Sequence, residues 1–346
     1  MPPAPEFTLR IQPHDRTVAM SGDRPVLDAA LSAGFNLPHS CKSGHCGSCR
    51  ALLVSGSIQY PAGRPLGLAD SEVASGYVLL CKAHPTSNLI VQARFIANVA
   101  EVDIKTLPCR IARLERPAPD VLQVFLKLPS VETLPFQAGQ YLDVMLENGR
   151  RRSFSIACPP HDSDLLELHV RRAPGGAFTS RLFAELDVGS LLRIEGPFGQ
   201  FVYHENASPV LMIAGGTGFA PLKAMLRQEL ERAADGTREI HFYWGARTAT
   251  DLYEESQLLA WVGQHPRLKF TAVLSDEGAA DASHRRVGWV HEAVLADYPT
   301  LETFDIYAAG PPAMIEAIRA SFPDRGASLE RLRFDSFDYA PDTIRS

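Results

Sequence analysis

The sequence predicts a multidomain protein of mixed class, in which a small α+β segment is followed by an antiparallel β-barrel and then by a parallel α/β sheet. Three observations predict it. Cysteines crowd one loop near the N-terminus, short strands with turn punctuation fill the middle, and strands alternate with helices after Pro209. At 346 residues, with 45% hydrophobic and 21% charged residues, the chain is long enough for two or three such units.

The elements follow in order. Phe7, Leu9 and Ile11 alternate as in a strand, Ser21-Gly22-Asp23 makes a turn, Val26 to Ala33 has helical spacing, and Gly34 stands where a helix C-cap belongs. After the cysteine loop, Ala51 to Val54 and Leu89 to Ala93 read as strands, so residues 1–97 are expected to form one small domain with the loop at its edge. Residues 98–107 read as a linker. Across residues 108–205 the strands are Val121 to Leu128, Tyr141 to Leu146, Ser153 to Ala157, Leu165 to Val170 and Leu191 to Glu195, with a helix from Ala177 to Glu185 after Gly175-Gly176. Regular short strands of this kind suggest a barrel. In residues 206–346, the strands Val210 to Ala214, Ile240 to Gly245, Leu268 to Leu274 and Asp305 to Ala308 alternate with helices near Leu222 to Ala233, Glu255 to Gln264, His291 to Ala296 and Ala313 to Phe322. That rhythm is a parallel α/β sheet.

Cys41, Cys46 and Cys49 follow a C-x4-C-x2-C spacing, and Cys81 comes later, which is the plant-type [2Fe-2S] pattern. Gly44 and Gly47 let such a loop wrap a cluster with its amides turned inward. The plainer readings are a structural zinc site and disulfides. Zinc sites pair cysteines as two short hooks, whereas here one loop supplies three ligands, and a chain of this size needs no staples. Cys109 and Cys158 are expected to be reduced, partly buried thiols. His39 and His45 raise the question of Rieske ligation, but with four cysteines already in place both are read as surface histidines.

Gly215-Gly216-Thr217-Gly218 with Pro221 lies between a strand and its helix, where amides and the helix dipole favour a phosphate. It departs from the dinucleotide fingerprint at Pro221, and Gly245-Ala246-Arg247 lacks the ribose-binding acid. Arg247 is a candidate for the adenosine ribose or its phosphate, and Trp244 reads as core. Arg152-Ser153-Phe154-Ser155 sets a cation beside an aromatic ring and two hydroxyls, a group able to hold a flavin, and Gly175-Gly176-Ala177-Phe178-Thr179 opens a helix able to donate to its pyrophosphate.

Together with the cysteine loop and the order of segments, these strings resemble the ferredoxin reductase superfamily in its oxygenase-reductase form, over nearly the whole chain. The resemblance implies an N-terminal β-grasp ferredoxin domain, a six-stranded antiparallel FAD-binding β-barrel and a C-terminal parallel α/β nucleotide-binding domain. It places flavin binding on Arg152, Phe154 and Ser155, with phenylalanine where the family has tyrosine, and on Gly176 and Thr179, with His169 and Val170 beside them. It places the nicotinamide dinucleotide on Gly215, Gly216, Thr217, Gly218 and Pro221, and on Gly310 and Pro311, where Ala309 replaces the family's cysteine. The Ala309 replacement implies slower or differently tuned hydride transfer, and Phe337 is a candidate to cover the flavin ring.

The three segments imply one electron path, from NADH through FAD to a [2Fe-2S] cluster, because a hydride carries two electrons and the cluster accepts one at a time. FAD over FMN rests on the resemblance. NADPH stays open, since the ribose acid is missing and Arg247 suits a 2′-phosphate. The expected acceptor is a protein, either an oxygenase component that hydroxylates aromatic rings or a deoxysugar dehydratase of the CDP-6-deoxyglucoseen type; a non-catalytic redox sensor is the alternative of another class. A net charge of −6 argues against general nucleic-acid binding. No apolar run reaches the roughly 18 residues of a membrane span, and no signal peptide opens the chain, so a cytoplasmic location is expected; a monomer that binds no membrane is expected with it.

Overall fold

The structure is a computed structural model that describes residues 5–13, 16–35, 37–39, 42, 44, 47–93, 104–146, 150–232, 236–276, 283–328 and 330–337. The chain divides into two compact units, Met1–Glu101 and Val102–Ser346.

In the first unit, β1 (Glu6–Gln12) and β2 (Arg16–Ser21) form a hairpin, α1 (Val26–Ser32) follows, and then come β3 (Arg50–Ser55), β4 (Ile58–Gln59), α2 (Asp70–Ala74), β5 (Tyr77–Leu79), β6 (His84–Pro85) and β7 (Leu89–Gln92). The sheet order is β2-β1-β7-β3-β5, with β1 and β7 parallel. Period-two alternation turns Leu9 and Ile11 onto α1, where Leu27, Leu37, Leu79 and Val91 complete a closed core. The first amides of α1 have no partner inside the helix. They are satisfied across the fold, Val26 N–H by the Ala83 carbonyl at 2.9 Å and Leu27 N–H by the Leu80 carbonyl at 3.0 Å. Gly34 caps the far end at φ +80°, with its amide on the Leu31 carbonyl.

The second unit begins with β8 (Lys105–Ala118), β9 (Val121–Lys127), β10 (Tyr141–Met145), β11 (Arg151–Ser155), β12 (Leu166–Arg171), α3 (Ala177–Ala184) and β13 (Leu191–Phe198). Their antiparallel order is β11-β10-β13-β8-β9-β12, and an Ile156–Leu168 bridge joins the two ends into a barrel. Strand β8 starts inside the stretch read as a linker, of which residues 98–103 lie outside the described residues. Pro108 hid it, because proline lacks the ladder donor; here it pairs with Arg193 near the strand's start.

Next come β14 (Val210–Gly215), α4 (Phe219–Arg232), β15 (Ile240–Ala246), α5 (Glu255–Gln264), β16 (Leu268–Leu274), β17 (Arg285–Val287), α6 (Val290–Asp297), β18 (Asp305–Gly310), α7 (Pro312–Ser321) and β19 (Leu332–Ser336). The sheet is parallel throughout, in the order β17-β16-β15-β14-β18-β19. Helices cover both faces, so β14 is buried on both sides. Val210, Met212 and Ala214 join the core under α4, whereas Leu211 and Ile213 join the core under α6 and α7. Strand order reverses at β14, and the carboxyl end of such a strand is where open α/β sheets bind ligands. Among the described residues, no helix is long and apolar enough to cross a membrane.

At the opposite end of the sheet the Asp305 carboxylate accepts from Arg238 at 2.9 Å, Asn206 at 2.6 Å and Arg331 at 3.1 Å. Arg238 is itself buried. Asp305→Ala would strand that guanidinium away from water and is expected to cost about 3–5 kcal/mol, measured by denaturant unfolding of the second unit's tryptophan signal.

Candidate functional site

Cys49 and Cys81 are far apart in sequence, and strand pairing brings them together. Cys49 precedes β3 and Cys81 follows β5, whose register sets Arg50 opposite Leu79; Leu80 N–H then donates to the Cys49 carbonyl at 3.1 Å. Both residues are buried. Gly44 adopts φ +89° and Gly47 φ +73°, the left-handed region in which only glycine avoids strain. A Cβ on Gly44 would fall 2.8 Å from Pro65 Cβ, so the loop there must be bare backbone. The Tyr60 phenol is pushed up by burial first, and also by the neighbouring charges of Cys49 and Cys81, while the Leu79 N–H it accepts opposes the shift. This donor set fits an iron–sulfur cluster. Cys41, Cys46 and His45 lie outside the described residues.

His39 is not the surface histidine expected. It is 1% exposed, and its Nδ1–H donates to the Leu37 carbonyl at 2.7 Å. Burial lowers its pKa to about 4, against the raising effect of that hydrogen bond. One satisfied nitrogen lets a neutral ring go inside. Cys109 and Cys158 are buried thiols that donate to the carbonyls of Leu192 and Leu165, and burial raises their pKa to about 12 and about 11.

On the barrel, Phe154 of β11 packs against Phe178 of α3 with ring centres 5.7 Å apart, which sets Arg152, Phe154 and the start of α3 side by side. Ser153 donates to Asp143 at 2.5 Å. The Gly-x-x-Thr spacing has a local cause: Thr179 Oγ1 accepts from Ala173 N–H at 3.2 Å, donates to the Gly176 carbonyl at 3.2 Å, and would lie 2.7 Å from any Cβ on Gly176. Gly175 turns the chain at φ +70°.

In the α/β sheet, Gly215 to Gly218 leave the end of β14 in a tight turn and enter α4, whose first turn tolerates Pro221 because that position needs no amide donor. A Cβ on Gly218 would lie 1.9 Å from the Ala309 carbonyl oxygen, and one on Gly215 would lie 2.6 Å from Pro311. The two nucleotide strings, distant in sequence, are therefore in backbone contact. Phe337 N–H donates to the Gly310 carbonyl at 2.9 Å, and Ser155 of the barrel donates to Asp335 of β19 at 3.3 Å. Gly215, Gly216, Thr217, Gly218, Gly310, Pro311 and Phe337 thus share one end of the sheet, tied to the flavin-side strand. Trp244 is core, as read. It stacks on Phe219 at 4.1 Å and donates to the Gly216 carbonyl at 3.0 Å. The Arg247 side chain is 66% exposed and lies 3.4 Å from Asp251.

Sequence reasoning missed the seam between barrel and sheet. Along β12, Leu166, Leu168 and Val170 face the barrel core, so Glu167, His169 and Arg171 face the α/β elements. The His169 side chain is held there, Nδ1 at 2.9 Å from the Tyr253 hydroxyl and Nε2 at 2.8 Å from Glu167, and Val170 packs in the barrel core. Arg171 reaches over the glycine turn, its guanidinium 3.1 Å from the Cβ position of Gly216, and pairs with Asp251 and Asp120 at 3.1 Å each. Lys223 Nζ lies 2.7 Å from Glu167 and 2.9 Å from Glu254, and Gln123 donates to Glu254. Glu167, His169 and Glu254 have metal-ligand chemistry. The Lys223 ammonium already supplies the cation. The signal available in the sequence was Glu-x-His-x-Arg, three polar residues at strand period.

A cysteine-lined turn in one unit, with a flavin-type strand and a nucleotide turn joined in the other, defines an iron–sulfur flavoprotein oxidoreductase. Residues 9–86 match the 2Fe-2S iron-sulfur cluster binding domain family, 108–203 the oxidoreductase FAD-binding domain family and 212–320 the oxidoreductase NAD-binding domain family. The CDP-6-deoxy-L-threo-D-glycero-4-hexulose-3-dehydrase reductase of Yersinia pseudotuberculosis is 34% identical over 96% of this chain and 98% of its own. Reductase component 2 of terephthalate 1,2-dioxygenase from Comamonas is 34% identical over the same shares. The crystal structure of the Amycolatopsis cytochrome P450 reductase GcoB, 33% identical, superposes with a TM-score of 0.76 over 96% of this chain and 98% of that one. The chain belongs to the ferredoxin reductase superfamily, as an NADH-dependent oxidoreductase with [2Fe-2S], FAD and NAD as cofactors. The non-catalytic reading gives way.

Burial raises the Glu167 pKa, but the hydrogen bond and charge of His169 and the Lys223 ammonium outweigh it and lower it to about 2 from an ordinary 4.5. A carboxyl lowered in the folded state adds stability above its unfolded value and loses it as pH falls through the folded one. Lys223→Met is therefore expected to destabilise the second unit by about 3–5 kcal/mol at pH 7. In thermal unfolding, the gap between variant and parent should close between pH 4.5 and about 2.

Proposed function

We propose that the protein is the reductase component of an aromatic-ring hydroxylating oxygenase, taking reducing equivalents from NADH and delivering them to a separate oxygenase protein. The observation that carries the reading is the backbone contact of Gly218 with Ala309, extended through Phe337 and the Ser155–Asp335 hydrogen bond to the flavin-side strand. It joins the hydride-donor and hydride-acceptor sites in one compact unit. The hexulose dehydrase reductase, as similar as the dioxygenase component, favours a second reading in which the acceptor is a deoxysugar dehydratase.

Within this reading, Arg152 holds the flavin pyrophosphate, Phe154 lies against the ring system, and the backbone at Gly175 and Gly176, set by Thr179, donates to the same phosphates. The Gly215–Gly218 turn and the N-terminus of α4 hold the dinucleotide phosphates. Arg171 adds a cation above that turn, and Phe337 flanks the reacting rings. Cys41, Cys46, Cys49 and Cys81 supply the four thiolates. When bound, the flavin takes a hydride and releases electrons singly to the cluster. The domains are taken as residues 1–97, then the barrel from Lys105 to about residue 205, and 206–346. The protein is taken as a cytoplasmic monomer that binds neither nucleic acid nor membrane, in keeping with thiols that must stay reduced and with a net charge of −6.

Anaerobic NADH should bleach both the flavin and the cluster absorbance; failure of both to bleach overturns the reading. Cys81→Ser should remove the cluster absorbance and transfer to the partner, while NADH–ferricyanide activity, read at the flavin, stays near the parent's. Reconstitution with a Rieske-type oxygenase against a nucleotide-sugar dehydratase separates the two acceptors, and parallel titration with NADPH tests whether Arg247 admits a 2′-phosphate.

A further inference from the structure

The surface beside the cysteine loop differs in charge from the rest of the protein, and this inference rests on the reading above that electrons leave for a separate protein. Residues 29–69 contain no Asp or Glu, although they include Lys42, Arg50 and Arg64. Residues 1–101 carry eight Lys and Arg against seven Asp and Glu, so the net charge of −6 comes from the second unit. Two basic residues sit at the cysteines themselves, Lys42 directly after Cys41 and Lys82 directly after Cys81.

Tertiary contacts gather this charge. Gly67 N–H donates to the Gly44 carbonyl at 2.8 Å, which lays the segment Arg64-Pro65-Leu66 against the cysteine loop. The Lys82 side chain crosses the same glycine, with Cγ 3.0 Å and Cε 3.6 Å from its Cβ position. Leu66 is 69% exposed there, a large apolar side chain with cations around it. Asp70 and Glu72 of α2 are engaged: Asp70 pairs with Arg64 at 2.5 Å, and Glu72 pairs with Arg50 and accepts Ala69 N–H at 2.9 Å.

We propose that Lys42, Arg64, Leu66 and Lys82 form the docking patch for the electron-accepting protein, and that this partner presents an acidic face with an apolar centre. Leu66 supplies contact area that is worth burying, and the surrounding cations steer an acidic surface towards the cluster and turn away a basic one.

The test uses the holoprotein, NADH and two protein probes under anaerobic conditions: cytochrome c, whose lysines make it cationic, and its succinylated, anionic form. At low salt the anionic form should be reduced about ten-fold faster, and the advantage should shrink as added salt shortens the Debye length to about 8 Å at 0.15 M. The double variant Arg64→Glu, Lys82→Glu should reverse the preference with cluster absorbance and NADH–ferricyanide rate unchanged. If charge reversal disturbs the cluster, Lys82→Gln should still reduce the preference. Faster reduction of the cationic form at low salt, or a preference that the variants leave intact, overturns the proposal. Failure of NADH to reduce either probe, with flavin and cluster unbleached, would instead overturn the reductase reading.

Discussion

Backbone touches backbone where Gly218 lies on the Ala309 carbonyl, and the functional end of the second unit depends on that approach. With a Cβ position only 1.9 Å from a carbonyl oxygen, no other residue fits without separating β14 from β18. Because those strands are parallel neighbours, closing the contact also aligns Gly215 with Pro311 and sets Gly310 to receive the amide of Phe337. A bare turn running into a helix N-terminus is the arrangement a phosphate site requires.

Joining the barrel to this sheet raises a different problem, because β12 has a second face to bury and the chain buries it in polar form. Two carboxylates meet one ammonium at Glu167, Glu254 and Lys223, with His169, Gln123 and Tyr253 around them. Desolvating ions is costly, and their mutual attraction repays it only when geometry and hydrogen bonds are nearly complete. Here the completeness is lopsided: Glu167 is satisfied from two sides, whereas one oxygen of Glu254 is buried without a hydrogen-bond partner among the described residues. An apolar seam would hold two lobes together as well. A polar one meets its needs only when directional hydrogen bonds line up, and so specifies their register.

The iron–sulfur unit solves its own problem by other means. Cys81 is brought to Cys49 through antiparallel pairing of β3 with β5 and is pinned by α1, whose opening amides bond to Leu80 and Ala83 on either side of Cys81 and Lys82. A helix N-terminus that needed partners and a loop that needed fixing satisfy each other.

Local patterns were legible in the sequence wherever the chemistry is local. Cysteine spacing, the glycine turn, the Gly-x-x-Thr turn and the change from period-two strands to alternating strand and helix each report a constraint met within a few residues, and they determined the fold class and cofactor set. Strand β8 was obscured by Pro108, and β17 and β19 carry charged residues that interrupt the apolar pattern, although Asp335 is buried where it meets Ser155. His39 looked like surface until one carbonyl satisfied one ring nitrogen, and the polar seam around His169 stayed hidden until the pleat of β12 turned that ring to Tyr253. Only the tertiary structure decided these, because burial of a polar side chain depends on the partner that meets it, and that partner lies far off along the chain.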